Sequence, residues 1–199
     1  MRLLTALAVL AVVATACGST AAAPTATPRR TVPPAQTSFT ARGNPTQSPA
    51  CPGAPNQASG KATITLEKGG AIVIQLRPDK APKTVSIFAL KAKTGFYNGL
   101  TFHRVVPGFV IQGGDPLGNG TGGGNECTEL SDLPFLKGAV GIARTPADIK
   151  VSNQYQFFVC IGECRNLDGL YTNFGQVISG QDVADHVQIG DKIKTITVE

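Results

Sequence analysis

The sequence is poor in the residues on which most metal and nucleophile sites depend. It has two histidines, His103 and His186, and its five cysteines include no Cys-x-x-Cys pair. Zinc sites are built from Cys and His at such short spacings, so a metal site is not favoured. Gly-x-Ser-x-Gly is absent, which argues against a serine hydrolase of that type. The glycine-rich segment 113–124 lacks the Gly-Lys-Ser/Thr of a P-loop. We expect neither a metal nor a cofactor.

Acidic residues are missing from the first third of the chain. No Asp or Glu precedes Glu67, although the whole sequence carries a formal net charge of +5. The excess charge comes mainly from Arg2, Arg29, Arg30 and Arg42. The chain from Lys61 onward is therefore nearly neutral, which argues against a basic nucleic-acid-binding face. A basic leader suits an anionic membrane surface better.

The N-terminus has the pattern of an export signal. A short positive region, Met1-Arg2, precedes the apolar run 3–13, which is too short to span a bilayer comfortably. Small residues then lead to Cys17, as in a bacterial lipobox, so we predict a signal peptide at 1–16 and a lipid on Cys17. Ordinary cleavage after Ala16, with Cys17 left as a thiol, is the alternative. The predicted location is the extracytoplasmic face of a membrane.

A low-complexity linker separates Cys17 from the folded domain. Residues 17–60 are rich in Ala, Thr and Pro, and cannot bury enough apolar surface to offset the entropy of ordering. We predict a semi-rigid spacer. With Cys17 acylated, four cysteines remain for disulfides in an oxidising compartment: Cys51, Cys127, Cys160 and Cys164. The sequence does not choose among their three possible pairings, and a metal site is the alternative use.

From residue 61 onward the pattern is mainly β. Segments 62–66 and 71–76 alternate around Gly69-Gly70, which predicts a hairpin. A helix is predicted from Val85 to Thr94 with Thr84 as its N-cap, and a short helix at 181–186. Further strands are predicted at 101–115, 138–143, 155–161, 172–178 and 193–198. Many short strands with few helices favour a closed barrel.

Segment 101–115 combines an apolar strand with polar side chains that a core would not choose. His103, Arg104 and Gln112 lie among Phe and Val residues and need hydrogen-bond partners if buried. An arginine with no nucleophile, metal or cofactor nearby suggests catalysis by binding alone. The alternative is a structural arginine in an ion pair.

Five segments follow one another in a characteristic order: 102–115 (FHRVVPGFVIQGGD), 118–123 (GNGTGG), 156–159 (QFFV), 167–169 (LDG) and 174–175 (FG). Together they resemble the cyclophilins, a family of peptidyl-prolyl cis-trans isomerases, and 102–115 is similar to the family signature. The resemblance covers essentially 61–199, which we take as the domain. It implies a closed eight-stranded antiparallel barrel capped by two helices, acting as a monomer on proline-containing peptide segments.

The resemblance also assigns roles to individual residues. Arg104 matches the catalytic arginine. The residues matched to the proline pocket, its rim and its neighbouring subsite are Phe109, Val110, Gln112, Gly120, Thr121, Ala143, Arg144, Gln156, Phe158, Leu167 and Tyr171. Taken alone, Phe109, Val110 and Phe158 would be assigned to the core, and only the full pattern favours the pocket. His103 is expected to be structural and hydrogen-bonded. Val110 and Asn166 depart from the Met and Trp that many members carry.

These features predict an isomerase that assists the folding of exported proteins from a membrane anchor. Two other functions remain open. The domain could hold proline-containing segments without isomerising them, or it could be a structural protein of the cell envelope. An isomerase assay distinguishes the isomerase from both alternatives.

Overall fold

The computed structural model describes residues 60–145 and 147–199. The predicted signal peptide, Cys17 and the predicted linker up to residue 59 lie outside the described residues. The strands are β1 Lys61–Leu66, β2 Ala71–Leu76, β3 Phe102–Val106, β4 Val110–Gly113, β5 Asn125–Cys127, β6 Ala139–Ile142, β7 Val151–Asn153, β8 Phe157–Cys160, β9 Asn173–Ser179 and β10 Ile193–Val198. The helices are α1 Pro82–Lys93, α2 Gln181–Asp185 and a 3₁₀ helix at Arg165–Leu167.

Eight strands form one antiparallel sheet that curls into a half-barrel. Their order is β10-β1-β2-β9-β6-β8-β4-β3, while β5 and β7 form a separate two-stranded ribbon. The edge strands β10 and β3 meet through an isolated bridge between Thr101 and Lys192, and within the described residues β3 forms a ladder with β4 alone. The mainly β class and the two helices are therefore confirmed, but the predicted closed barrel is not, because the last ladder needed for closure does not form.

The predicted first hairpin is confirmed, and its alternation builds one wall of the core. Every second residue of β1 and β2 is buried, beginning with Ala62 and Ile72, as expected for a sheet with one face on the core. Helix α1 covers the core with Phe88, whose ring lies 5.2–5.6 Å from the rings of Tyr97, Phe157 and Phe174. These aromatic rings join α1 to the sheet.

Helix α1 starts earlier than the sequence predicts. It begins at Pro82, so Thr84 lies inside the first turn and the N-cap prediction is wrong. The N-cap position is occupied by Ala81, which makes no side-chain capping bond. Proline suits the first helical position because its missing N–H would have no partner there.

A carboxylate from a distant segment caps α1 instead. The backbone N–H groups of Lys83 and Thr84 donate to the two oxygens of Glu129, at 3.0 and 2.8 Å. A negative charge at a helix N-terminus also interacts favourably with the helix dipole. The cap is distant in sequence, so no local capping motif precedes the helix.

Segment 101–115 forms a hairpin rather than the single strand that the sequence predicts. Strands β3 and β4 are joined by a turn at Pro107-Gly108-Phe109, with Gly108 at a φ of 69°. The N–H of Phe109 donates to Val106 O at 3.0 Å and closes the turn. The apolar residues on both sides of the turn concealed the break in the sequence pattern.

The cysteines are used in two ways. Cys127 is disulfide-bonded, whereas Cys160 and Cys164 are buried free thiols. Cys17 and Cys51 lie outside the described residues. Across the described part of the chain, no helix combines the length and apolar character needed to cross a membrane.

Candidate active site

Two adjoining cavities lie along β3, β4, β6 and β8. The larger, here called the apolar cavity, has a volume of about 230 Å³ and the smaller, the polar cavity, about 100 Å³. Gln112, Ala143 and Arg144 line both, so the two form one continuous groove. The apolar cavity is also lined by Arg104, Phe109, Val110, Phe158, Leu167 and Tyr171. The polar cavity is also lined by Gly120, Asn125, Thr145, Val151, Ser152, Asn153 and Gln156.

A β-bulge turns Arg104 toward this groove. Phe102 pairs with Gly113 and Arg104 pairs with Gln112, so His103 is an extra residue on β3. In a regular strand with no bulge, Arg104 would lie on the same face as the fully buried Phe102, two residues before it. The bulge thus moves a guanidinium from the core side to the exposed side of the sheet.

His103 itself does not behave as predicted. Its two ring nitrogens are buried and have no hydrogen-bond partner among the described residues, so the expected structural hydrogen bond is absent there. Burial lowers the pKa of His103, which outweighs the opposing effect of the Asp115 carboxylate. The imidazole is therefore neutral at pH 7 and leaves Arg104 as the cation of this strand.

A chain of side-chain amides holds Arg104 in place. Arg104 Nη1 donates to Gln112 Oε1 at 3.2 Å, and Gln112 Nε2 donates to Gln156 Oε1 at 2.9 Å. Gln156 is buried and donates in turn to the backbone oxygens of Gly120 and Gly122, at 3.1 and 2.6 Å. One end of the guanidinium is fixed, while the Arg104 residue as a whole is exposed at the groove.

The wall of the apolar cavity belongs to a second, smaller hydrophobic cluster. Phe158 stacks on Phe135 at 5.6 Å and meets Tyr171 edge-on at 5.8 Å. Gly141 of the neighbouring strand lies under Phe158, and a Cβ there would overlap the rings of Phe158 and Phe135. The small residue on β6 therefore makes the space in which Phe158 sits.

The glycine loop is organised by Asp115. Its buried carboxylate accepts hydrogen bonds from the backbone N–H groups of Leu117, Asn119 and Gly120, at 3.0, 3.0 and 2.5 Å. Burial alone would raise the pKa of Asp115, but these amide donors outweigh it and lower the pKa. The glycines thus serve a tight loop around a carboxylate, as expected from the absence of a P-loop motif.

The ribbon of β5 and β7 forms the far wall of the polar cavity and was not predicted. Asn153 donates from Nδ2 to Gly122 O at 3.0 Å and accepts from the N–H groups of Tyr155 and Gln156 at 2.8 and 2.9 Å. It therefore ties the ribbon, the glycine loop and β8 together. Each ribbon strand has three residues, too few to produce a recognisable alternation. An Asn side chain that accepts hydrogen bonds from the N–H groups two and three residues later is typical of a turn. Asn153 could therefore have indicated where β7 ends.

Most of the predicted site residues come together in the groove. The exception is Thr121, which lines neither cavity and whose hydroxyl donates to Asn119 Oδ1 at 2.7 Å. Ala143 lies at the rim, but its N–H already donates to Gln156 O at 2.9 Å and its C=O accepts from Asn153 N–H at 2.8 Å. The N–H of Ala143 is therefore not free for an incoming peptide. Arg144 has no backbone hydrogen bond to any described residue.

The groove offers hydrogen-bond donors and apolar surface. Within the described residues, its side-chain hydroxyls are those of Thr145, Ser152 and Tyr171, and no carboxylate, thiol or histidine lines either cavity to activate them. Among residues 60–145 and 147–199, no group of three or more His, Cys, Asp or Glu residues is arranged to hold a metal ion. Arg104, Arg144 and the amide side chains can bind a polar backbone next to an apolar ring.

A buried acid lies behind the ribbon. Glu126 of β5 accepts a hydrogen bond from Thr84 Oγ1 at 3.3 Å, and its other oxygen has no partner among the described residues. Burial, together with the nearby Glu129 charge, raises the pKa of Glu126 to about 7, against the Thr84 hydrogen bond and the Lys83 charge. The folded protein therefore holds a proton here, between about pH 4.5 and 7, that the unfolded chain releases.

We expect this proton to make stability depend on pH. Because the folded pKa is the higher one, stability falls as pH rises from about 4.5 to 7. Glu126→Gln keeps a hydrogen-bond acceptor but removes the charge. It should raise the free energy of unfolding by roughly 3 kcal/mol at pH 8 and change it little at pH 5. Denaturant unfolding at both pH values measures this.

The matched control is Glu67→Gln, which removes an exposed carboxylate at the turn after β1. It should leave the pH dependence of stability unchanged. If wild type and Glu126→Gln differed by the same amount at both pH values, the titration of Glu126 would not be the cause.

Comparison with known proteins gives a consistent result. The family model "Cyclophilin type peptidyl-prolyl cis-trans isomerase/CLD" matches residues 61–198. "Peptidyl-prolyl cis-trans isomerase B" of Bacillus subtilis is 44% identical over 138 residues, covering 67% of this chain and 94% of the relative. "Peptidyl-prolyl cis-trans isomerase" of Helicobacter pylori (strain ATCC 700392 / 26695) is 42% identical over 142 residues, covering 68% and 84%.

Solved structures show the same fold. A Cryptosporidium parvum cyclophilin type peptidyl-prolyl cis-trans isomerase superposes with a TM-score of 0.66 at 27% identity, covering 71% of this chain and 98% of that chain. The same protein in the presence of dipeptide Ala-Pro gives a TM-score of 0.64 at 27% identity, with 70% and 98% covered.

Proposed function

Because the chain belongs to the cyclophilin family of peptidyl-prolyl cis-trans isomerases, we propose that it isomerises X-Pro bonds of exported proteins as they fold outside the cytoplasm. A lipid on Cys17 holds it at the membrane, and the linker 17–60 extends the domain away from the surface. The observation that carries the catalytic part is Arg104, held by the Gln112–Gln156 pair at the edge of an apolar cavity.

The proline ring occupies the apolar cavity between Phe109 and Phe158. The C. parvum relative was solved in the presence of dipeptide Ala-Pro, which supports a proline-containing ligand for the corresponding groove. A proline ring has no backbone N–H to satisfy, so an apolar slot suits it. The residues before the proline extend along the polar cavity, where the unused backbone groups of Arg144 can pair with them.

Arg104 lowers the rotation barrier by acting on the imide nitrogen. The barrier of ~18–20 kcal/mol comes from amide resonance, which keeps that nitrogen planar. When the bond twists, the nitrogen becomes pyramidal, and its lone pair is no longer delocalised into the carbonyl and can accept a hydrogen bond. A guanidinium donor stabilises this twisted state more than the planar one, and each ~1.4 kcal/mol of difference gives a tenfold rate increase.

The relay of glutamines makes this donor effective. Because Gln112 and Gln156 hold the guanidinium before substrate arrives, little reorganisation is needed in the twisted state. No bond is formed or broken and no proton is transferred, so the reaction requires no activated nucleophile in the cavity lining. We take a monomer as the active form.

An isomerase assay tests the catalytic proposal. The cis-to-trans rate of a short X-Pro peptide is measured with and without the protein, and the refolding rate of a protein limited by proline isomerisation is measured in parallel. Acceleration of both is expected. Binding of the peptide with no change in rate would instead favour a non-catalytic holding module.

The anchor is tested by Cys17→Ala in the full chain expressed in a bacterial host. The wild-type protein should be found in the membrane fraction, with a mature N-terminus whose mass includes acyl chains. Cys17→Ala should shift it to the soluble extracytoplasmic fraction, because a polar linker alone gives little membrane affinity. An unmodified Cys17 in the mature wild-type protein would rule out the lipid anchor.

A further inference from the structure

Arg144 lies at the junction of the two cavities. It lines both the apolar cavity and the polar cavity, so the residue borders the path of any peptide that crosses between them. Its guanidinium lies over the ring of Tyr171, which also lines the apolar cavity. No part of the amide relay that holds Arg104 depends on it. Arg144 therefore does not serve to position Arg104.

The guanidinium of Arg144 is held by three contacts. Its Nε donates to Leu170 O at 2.8 Å and its Nη1 donates to Thr145 O at 3.0 Å. The guanidinium carbon lies 4.5 Å from the centre of the Tyr171 ring. These contacts fix the plane of the side chain, and its Nη2 has no hydrogen-bond partner among the described residues.

None of these contacts neutralises the charge. Two are backbone carbonyls and one is an aromatic face, which attracts a cation but carries no net charge. The arginines outside the groove that the structure describes differ in that they form ion pairs. Of the four arginines in the described ranges, Arg77 and Arg165 are ion-paired with Asp79 and Asp168, whereas the two that line the groove have no carboxylate partner.

The groove therefore carries two uncompensated positive charges. Arg104 and Arg144 are its only charged lining residues within the described chain, and no Asp or Glu lines either cavity. Arg104 is directed to the reacting bond in the proposed function, which leaves Arg144 for another part of the substrate. A fixed guanidinium with a free Nη2 is suited to a carboxylate, because little side-chain entropy is lost on binding.

We propose that Arg144 is a specificity-determining residue that selects substrates with an Asp or Glu in one of the two positions before the proline. The inference rests on the proposed function, which puts the proline in the apolar cavity and the preceding residues along the polar cavity. An acidic side chain there reaches the Nη2 of Arg144 at the junction. Because the groove is open to solvent, the gain is limited, and we expect about three- to tenfold in kcat/KM.

The experiment compares peptides that differ at one position. Four-residue peptides with proline third carry Glu, Gln or Lys at the first or second position, and kcat/KM is measured for each at low and high salt. Wild-type protein should favour Glu over Gln by three- to tenfold at one of these positions and disfavour Lys. High salt should reduce the preference, because screening weakens exposed charge pairs.

Three variants assign the preference to Arg144. Arg144→Gln should bring the Glu-to-Gln ratio close to one, while Arg144→Lys should keep part of it, since charge remains but the fixed fork is lost. The control Lys194→Gln removes one exposed positive charge from β10, outside the groove, and should retain the full ratio. The quantity compared among variants is the ratio of kcat/KM for the Glu peptide to that for the Gln peptide. A general loss of activity in one variant lowers both values and leaves this ratio unchanged.

Two outcomes would overturn the proposal. Equal kcat/KM for the Glu and Gln peptides in wild type would show that the charge at Arg144 does not select substrates. An unchanged ratio in Arg144→Gln would assign the preference to another group. If the wild type accelerates none of the peptides, the isomerase function itself fails, which is distinct from acceleration without an acidic preference.

Discussion

Arg104→Ala is expected to lower kcat/KM for an X-Pro peptide by about 100- to 1,000-fold. This is the size of loss seen when one preorganised donor is removed from a site that stabilises developing charge. The reason is specific to the twisted state, because the planar proline nitrogen accepts hydrogen bonds poorly. The effect should therefore fall mainly on kcat rather than on peptide affinity. A cis-to-trans peptide assay and a separate binding measurement give both quantities.

The fold should survive this substitution. Arg104 is exposed, and its side chain makes one hydrogen bond within the described residues, to Gln112. Thermal unfolding should therefore change little, and Arg104→Lys should recover only part of the activity because it lacks the planar fork. Lys194→Gln, which removes an exposed charge outside the groove, should have full activity. Activity of Arg104→Ala equal to wild type would rule out the mechanism.

Phe88→Ala is expected to lower the free energy of unfolding by about 3–5 kcal/mol. Phe88 is 1% exposed and contacts three other rings, from Tyr97, Phe157 and Phe174. Removing it leaves a cavity between α1 and the sheet that these rings cannot fill without moving. Chemical denaturation monitored by circular dichroism measures the loss.

Leu90→Ala on the same helix is the matched control. Leu90 is 62% exposed, and its replacement also leaves helix propensity nearly unchanged. We expect a change within about 0.5 kcal/mol. Comparable losses for the two variants would mean that α1 is held by its own helical stability and not by the aromatic cluster.

Local periodicity predicted those parts of the fold in which one face of a strand is buried. The hairpin of β1 and β2 and the strands β9 and β10 follow the predicted segments closely. For the amide relay, the resemblance implied that Gln112 and Gln156 bind substrate backbone or orient Arg104, but which side chain bonds to which is seen only in the structure. The face of β3 on which Arg104 lies depends on the bulge at His103. A single extra residue in a strand cannot be recognised from the amino-acid composition.

Long-range contacts account for what was missed. Glu129 caps a helix that starts at Pro82, and Asn153 fastens the ribbon to the glycine loop. In both cases the partner lies tens of residues away, so a local window contains only one half of the interaction. The prediction of a closed barrel failed for a related reason. The residue pattern of each strand does not show whether the two edge strands pair in a ladder.

The position of β1 in the sheet determines when the domain can be completed. This first strand lies between β2 and β10, and Lys61 exchanges backbone hydrogen bonds with Glu199 at 3.1 and 2.9 Å. A chain delivered across a membrane from its N-terminal end can form the β1–β2 hairpin at once. The other edge of β1 stays unpaired until β10, the last strand, has been delivered. For the exported form proposed above, we therefore expect folding to finish only after translocation of the whole domain, with the slow kinetics of a fold rich in non-local pairing.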